Sequence, residues 1–489
     1  MFVNTVGNKS SFLSPKRIGL FLGLSFLLIT IILPVPEDMP ASAWHTAGIA
    51  LLLATWWATQ AIPIPITALL PIVLFPALGI LTIKESTIPF ADPIIFLLMG
   101  GFIISIGLSK WNLHRRLSLN ILNFIGSKPT AILAGFMGAT AFISMWISNS
   151  AAALMMIPIA LSLVSEVTKE NKEHQNFVLC LLLGIAYAAS MGGMGTIIGS
   201  PPNAFIVGFL FDNYQVEISF IQWMMFGVPA AIVMTALAWW VLVKWTYPFD
   251  SGSISISPGA IASELNAMGK FSQPEKRIAL VFLLVAIAWL IRNPIQKNFE
   301  ILPWLTDPII AVIGAILMFI IPSGKARGGY SALIGWKDTS NLPWGILILV
   351  GGGLSLSVGI QKSGLAAWLG QNLPSFSGTG VIIGIVCLIA FIIFLTELTS
   401  NTATTATVAP ILGSFAITNG IDLHLIFIAA IMSVSCAFML PIATPPNAII
   451  FSTGKVTIPQ MAHVGFRLNL VAIIIITALS YLLVPLVFN

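Results

Sequence analysis

The chain has 489 residues, 57% of them hydrophobic and only 8% charged, where an average soluble domain carries about 25% charged residues. With a mean hydropathy of +0.98, this much apolar surface exceeds what a water-soluble core can hide, so lipid is the solvent for much of it. The net charge of +5 calls for no nucleic-acid partner, because the basic residues cluster at the ends of apolar runs, where membrane anchors sit.

Lys16-Arg17 open the first apolar run. With Ala41-Ser42-Ala43 behind it, this run faintly resembles a secretory signal with its cleavage site. The stretch from Ile18 to Leu33 is long for that, and a retained first span is expected. Candidate spans of about 20 residues begin near Ile18, Thr46, Ile64, Pro93, Phe177, Ile221, Ile278, Pro308, Pro343, Leu425 and Val464, about 11 transmembrane helices in all. Two further segments, 129–167 and 380–417, read as re-entrant hairpins.

The expected fold class is therefore an all-α polytopic membrane protein. Residues 1–128 hold spans one to four, and 129–250 hold the first hairpin with spans five and six. A polar cytoplasmic linker occupies 251–277 and reads as a simple loop with no partner. Residues 278–379 hold spans seven to nine, and 380–489 the second hairpin with spans ten and eleven. A cytoplasmic N-terminus puts 18 of the 22 Lys and Arg inside, leaving only Lys84, Arg292, Lys297 and Lys362 outside. That bias orients the chain N-terminus in, C-terminus out. Asn8-Lys9-Ser10 is a glycosylation sequon on the expected cytoplasmic side, which favours a bacterial plasma membrane. Cys180, Cys387 and Cys436 sit apart in apolar runs and read as free buried thiols. The five histidines show no metal-ligand spacing.

The two halves repeat each other. Gly101, Ser105 and Gly107 recur as Gly353, Ser357 and Gly359, an offset of 252 that also carries Ser144 to Thr396 and Ser148-Asn149-Ser150 to Ser400-Asn401-Thr402. Ser200-Pro201-Pro202-Asn203 recurs as Thr444-Pro445-Pro446-Asn447 at an offset of 244. From the second span each half crosses five times. An odd count inserts the second copy upside down, the inverted-repeat plan of many secondary transporters, with its site near the bilayer midplane.

Ser, Asn and Thr are poor helix-interior residues and good caps, so each triplet should break its helix and start a second arm. A helix N-terminus offers free N–H groups and a positive dipole end. With hydroxyl and amide donors beside it, that surface suits the oxygens of a carboxylate or sulfate. Small polar residues can also merely glue helices together, but two matched triplets in inverted copies favour a shared site. The Pro-Pro pairs should break two more helices, freeing carbonyls toward the site. A nucleotide-binding glycine loop at 192–199 is disfavoured, since no strand–helix alternation surrounds it. Neither hairpin holds a basic residue, and Glu397 is the one charge in the second. Helix dipoles alone do not balance a buried dianion, so a bound Na⁺ is expected to supply positive charge. Glu397 faces Met145 in the repeat. It could bias the ion site or hydrogen-bond within its own hairpin.

The paired triplets resemble the motifs of the divalent anion:sodium symporter family of dicarboxylate, citrate and sulfate carriers. So do the stretches Ala443-Thr444-Pro445-Pro446-Asn447, Ala61 to Pro71, Asp92 to Gly101 and Trp111 to Arg116, and the resemblance spans nearly the whole chain. It implies an elevator-type homodimer, in which a scaffold (1–128 and 278–379) holds a moving transport domain (129–250 and 380–489). It also implies that Ser148, Asn149, Ser150, Ser400, Asn401, Thr402, Thr444 and Pro445 contact substrate. One Na⁺ would sit near Ser144, Ser148, Asn149 and Gly199, a second near Thr396, Ser400, Asn401 and Ala443. The first triplet ends in Ser150 where the family commonly has Thr, which leaves the choice of anion open. The resemblance points to Na⁺-coupled symport of a C4-dicarboxylate such as succinate, fumarate or malate into the cell. An Na⁺-independent dicarboxylate or citrate exchanger, a sodium–sulfate symporter and an anion channel are the alternatives. An enzyme is not expected: there is no H-E-x-x-H and no nucleophile–base pair.

Overall fold

Where apolar residues run uninterrupted the chain forms long helices, and where Gly, Pro, Ser and Asn intrude the helices stop. The computed structural model describes residues 14–125, 128–165, 172–250, 252, 260–299, 302–324, 331–372 and 379–488. The sequon at Asn8 and the middle of the expected linker, 253–259, lie outside the described residues.

The first half runs α1 (Pro15–Ile32), α2 (Ala41–Thr59), α3 (Ile64–Thr67), α4 (Leu70–Ala77), α5 (Ile83–Thr87), α6 (Pro93–Lys110) and α7 (Leu113–Asn123). It continues through α8 (Pro129–Ser144), α9 (Asn149–Ser165), α10 (Lys172–Gly192), α11 (Pro201–Tyr214) and α12 (Phe220–Trp240). After α13 (Ala260–Ala267) come α14 (Gln273–Phe299), α15 (Asp307–Ile320), α16 (Trp344–Lys362) and α17 (Leu365–Asn372). The chain closes with α18 (Thr379–Thr396), α19 (Asn401–Thr418), α20 (Leu423–Val434), α21 (Pro445–Ser452) and α22 (Ile458–Phe488).

Among the described residues, seven helices are long and apolar enough to cross a membrane. The arms α8, α9 and α18 are among the shorter apolar helices. The 16 residues of α8 rise about 24 Å, less than the roughly 30 Å hydrocarbon core. The fifth and tenth expected spans are each broken in the middle, as their Pro-Pro pairs require: α10 gives way to α11 and α20 to α21. Tight packing sets the first break. Gly192 lies against the Ala141 backbone of α8, where any Cβ would overlap it.

Two expectations are corrected. The linker is not a plain loop: it contains α13, and its end already belongs to α14. Its described part is also tied to α7. Arg116 of α7 pairs with Glu275 at 2.8 Å and donates to the Gly269 and Met268 carbonyls, while Arg115 pairs with Glu264 at 2.5 Å. The cysteines are all free, but only Cys180 and Cys436 are buried. Cys387 is exposed, because α18 turns that face outward, with Ile383 and Phe391 exposed as well.

Candidate functional site

The two polar triplets do break their helices. After Ser144 the chain turns through 145–148 and restarts as α9 at Asn149; after Thr396 it turns through 397–400 and restarts as α19 at Asn401. Ser400 is extended at the N-cap position, and the Ser148 hydroxyl accepts from the Ala151 N–H at 3.3 Å.

The hydrogen bonds repeat with the sequence. The Ser144 hydroxyl lies 2.8 Å from the Asn149 amide and 2.6 Å from the Ala189 carbonyl. The Thr396 hydroxyl lies 2.7 Å from the Asn401 amide and 3.2 Å from the Val434 carbonyl. Asn203 donates to the Gly193 and Thr196 carbonyls, both at 2.8 Å, and Asn447 donates to Ala437 and Leu440 at 3.1 and 3.0 Å. Each Asn thus ties down the unwound segment before its own helix, satisfying backbone that a continuous helix would have paired.

Around the Asn149 amide the neighbours are oxygens: Ser144 Oγ at 2.8 Å, and the Ala189 and Gly199 carbonyls at 3.2 Å each. That ring fits either an amide turned with its NH₂ toward them or a cation shared among the same oxygens.

The halves differ at one point. Glu397 does not bond within its own hairpin, contrary to one of the two roles left open for it. One carboxylate oxygen accepts from the Phe438 and Met439 N–H groups at 2.7 and 2.9 Å and from Asn469 at 2.8 Å. The other accepts from Met439 and Leu440 at 3.0 and 3.2 Å. Glu397 therefore anchors the unwound segment between α20 and α21. In the first half a lighter device does this work: Thr196 donates to the Met145 carbonyl at 2.5 Å and accepts from Gly199 N–H at 3.0 Å.

Both tips open on one cavity of about 800 Å³, within the usual size range of ligand sites. Ser148, Asn149, Ser150, Ser400, Asn401, Thr402, Thr444 and Pro445 all line it, as do Gly199 and Ala443. Ser144 and Thr396 do not; they are buried behind the tips and orient the two asparagines. Four helices, α9, α11, α19 and α21, begin at this cavity, so four positive dipole ends converge there. The first residues of α11 and α21 are prolines, which lack N–H groups. Backbone donors therefore come from α9 and α19. No Lys, Arg, His, Asp or Glu is among the lining residues.

Sequence reasoning missed the remaining walls: Gln60, Ile64, Phe102, Pro343, Ile346 and Leu349. They come from helices far away in the chain. Ile64, inside the family-like run from Ala61 to Pro71, and Phe102, beside the repeated Gly101, carried a sequence signal; the others carried none.

Several apolar helices long enough to cross a membrane and two broken-helix tips that open on a shared cavity define a polytopic α-helical membrane protein of the transporter class. The pattern of the sodium:sulfate symporter transmembrane region matches residues 15–488. The sodium-dependent dicarboxylate transporter SdcS of Staphylococcus aureus, strain USA300, is 41% identical over 492 residues, covering 99% of this chain and 94% of the relative. SdcS of strain MRSA252 gives the same values. Among solved structures, the Alcanivorax borkumensis YdaH transporter has a TM-score of 0.57 at 14% identity, covering 97% of this chain and 98% of that one. Neisseria gonorrhoeae MtrF, described with a class of antimetabolite efflux pumps, has the same score and identity, covering 97% and 95%. These two share the fold alone. The chain belongs to the sodium:sulfate symporter family, that is, the divalent anion:sodium symporters.

Proposed function

We propose that this protein is a secondary active transporter that couples an inward Na⁺ gradient to uptake of a C4-dicarboxylate. The observation that carries this reading is the cavity itself. It presents two Ser-Asn-Ser/Thr tips and four helix N-termini, yet no basic side chain lines it. Hydroxyl, amide and N–H donors of Ser148, Asn149, Ser150, Ser400, Asn401 and Thr402, with Thr444 and Pro445 beside them, bind and orient the carboxylates. Na⁺ is co-substrate and supplies the positive charge the lining lacks. One ion is held by Ser144, Ser148, Asn149 and Gly199, the other by Thr396, Ser400, Asn401 and Ala443. The oxygens ringing the Asn149 amide support the first, and the matching Thr396–Asn401 bond supports the second. The likeness to SdcS supports a dicarboxylate over sulfate.

In this reading the chain crosses the membrane eleven times. The α8–α9 and α18–α19 pairs enter as re-entrant hairpins from opposite faces, and the N-terminus is cytoplasmic. Residues 1–128 and 278–379 form a scaffold; 129–250 and 380–489 form a transport domain that moves as an elevator within a homodimer. Gln60 at the end of α2 and Pro343 before α16 line the cavity. Both lie at the cytoplasmic ends of their helices in this topology, so the site faces the cytoplasm here.

The test is radiolabelled succinate uptake into proteoliposomes with an inward Na⁺ gradient, a K⁺ gradient, or unlabelled succinate inside. Na⁺-driven accumulation into empty vesicles is expected. Uptake that requires internal succinate and ignores Na⁺ makes the protein an exchanger and overturns the charge argument.

A further inference from the structure

Two large apolar side chains stand open in the wall of this cavity beside the polar tips. Ile442 is 71% exposed and Leu398 67%, and both line it. Leaving such a side chain uncovered forgoes roughly 1.5–3 kcal/mol. Of their repeat counterparts in the first half, Ile198 is buried and Trp146 half-buried. Ile198, the counterpart of Ile442, is 7% exposed and sits on Gly101 of α6, where an added Cβ would meet its Cγ2 at 3.1 Å. Trp146, the counterpart of Leu398, meets Phe282 of α14 edge-on, with centroids 5.0 Å apart. The first tip is docked on α6 and α14, while the second presents its equivalent residues to the cavity.

The counterpart of Gly101 is Gly353 of α16. Its bare face is taken by other residues: an added Cβ would meet the Phe205 ring at 2.5 Å and the Ala406 Cβ at 3.0 Å. The counterpart of Ala406 in the first half is Leu154, which is 57% exposed. Ile198 and Ala406, each docked on one glycine, therefore have undocked counterparts in the other half, while Ile449, the counterpart of Phe205, is half-buried.

We propose that Ile442, with Leu398 beside it, is the seat by which the second half docks on Gly353 of α16 in the carrier's alternate state. Ile198 leaves Gly101 in the same step, Phe205 and Ala406 leave Gly353, and Leu154 is covered against α6. The inference rests on the elevator reading above and adds to it the contacts exchanged. Physically, the swap replaces one buried aliphatic contact by its homologue. The apolar area removed from water is then similar in both states, and their free energies stay within the few kcal/mol that a two-state protein needs to populate both. Glycine at both seats lets different side chains occupy the same face in turn.

The test uses the full chain with Cys180, Cys387 and Cys436 replaced by serine. The reference pair is Gly101→Cys with Ile198→Cys, whose Cβ positions lie 3.3 Å apart in this structure, near the disulfide range. The test pair is Gly353→Cys with Ile442→Cys. Under mild oxidant with Na⁺ and succinate, both pairs should yield disulfide-linked peptides by mass spectrometry. Both should also lose uptake and regain it on reduction. A reference pair that links while the test pair never does overturns the seat. Because Cys at 353 crowds Phe205, Leu398→Cys alone gives a second reading. Its labelling by a membrane-impermeant maleimide should slow when Na⁺ and succinate drive exchange between states, and unchanged labelling counts against the proposal. The two readings fail separately. Na⁺-driven succinate uptake without the test link overturns only the seat. Both links in a protein that moves no dicarboxylate overturn only the substrate assignment.

Discussion

Replacing Glu397 by Gln removes one acceptor oxygen from a carboxylate that serves four donors: three backbone N–H groups at 438–440 and the Asn469 amide. Whichever way the new amide turns, its NH₂ faces donors. If it points at the Met439 and Leu440 N–H groups, Leu440 loses its bond and Met439 keeps only its contact to the other oxygen. If it points the other way, Asn469 can flip to accept from it, but Phe438 is stranded and Met439 again keeps one contact. One buried N–H is lost outright and a second is weakened. At about 1–3 kcal/mol for each unsatisfied group, the segment carrying Ala443 and Thr444 loses roughly 2–4 kcal/mol of support. Even the lower end corresponds to roughly a 30-fold shift in the Na⁺ concentration for half-maximal uptake. The assay is initial succinate uptake in proteoliposomes across a Na⁺ titration, with insertion checked by detergent extraction and size-exclusion profile. Glu397→Asp should keep the charge but shorten the reach, and fall between wild type and Gln. A Gln variant with an unchanged Na⁺ titration and thermal midpoint refutes the anchoring role.

Asn149→Ala and Asn401→Ala should each abolish uptake while leaving insertion intact; wild-type uptake by either removes that residue from the site. Arg116→Met strands the buried Glu275 carboxylate, and breaking one partner of such a pair costs about 3–5 kcal/mol. A lowered thermal midpoint in detergent is expected, and an unchanged one means the linker does not dock on α7 in solution. Asp338 gives a pH test outside the spans. Burial pushes its carboxyl up, but the Lys110 hydrogen bond at 2.7 Å, the Gly335 N–H and the Lys110 charge outweigh that and hold it below the ordinary Asp value. A depressed folded value means the stabilisation is complete above the unfolded value and fades only as pH falls toward the folded one. The midpoint gap between wild type and Asp338→Asn should therefore stay constant from neutral pH down to about 5 and close below about 4. A gap that closes by pH 6 contradicts the pairing.

Local signals told most of the story. Composition announced the membrane, and the repeated triplets and Pro-Pro pairs located all four chain breaks, because Ser, Asn and Pro act on their own backbone wherever they stand. What stayed hidden depends on partners distant in sequence. Glu397 could be flagged as a lone charge, but its role is written at Phe438–Leu440 and Asn469, and a backbone N–H carries no sequence signature. Arg116 was noticed only as part of a family-like run; its hold on the linker needs the fold that brings α7 to Glu275. The walls at Gln60 and Pro343 flank helices whose apolar composition says nothing about which face meets the cavity. Cys387 was misjudged because a membrane protein exposes apolar faces to lipid, so an apolar run does not imply burial.

The missing basic residue is itself part of how coupling can work. A Lys or Arg in the lining would hold a dicarboxylate with Na⁺ absent, and an unpaired charge would remain once the anion left. That charge is costly to carry through a low-dielectric region. With only neutral donors and dipole ends, the empty site carries no unpaired charge. An anion alone would bring two charges that the lining cannot balance, and Na⁺ alone would bring uncompensated positive charge. Opposite unit charges about 4 Å apart attract by roughly 4 kcal/mol at an effective dielectric of 20, so each ligand binds far better when the other is present. By linkage this preference is reciprocal: the more the anion depends on Na⁺, the more tightly it holds Na⁺. A lysine introduced at Thr402 should therefore weaken the Na⁺ requirement for succinate binding while slowing release and turnover. If such a variant still binds succinate only with Na⁺, coupling resides in the geometry of the tips and not in their charge.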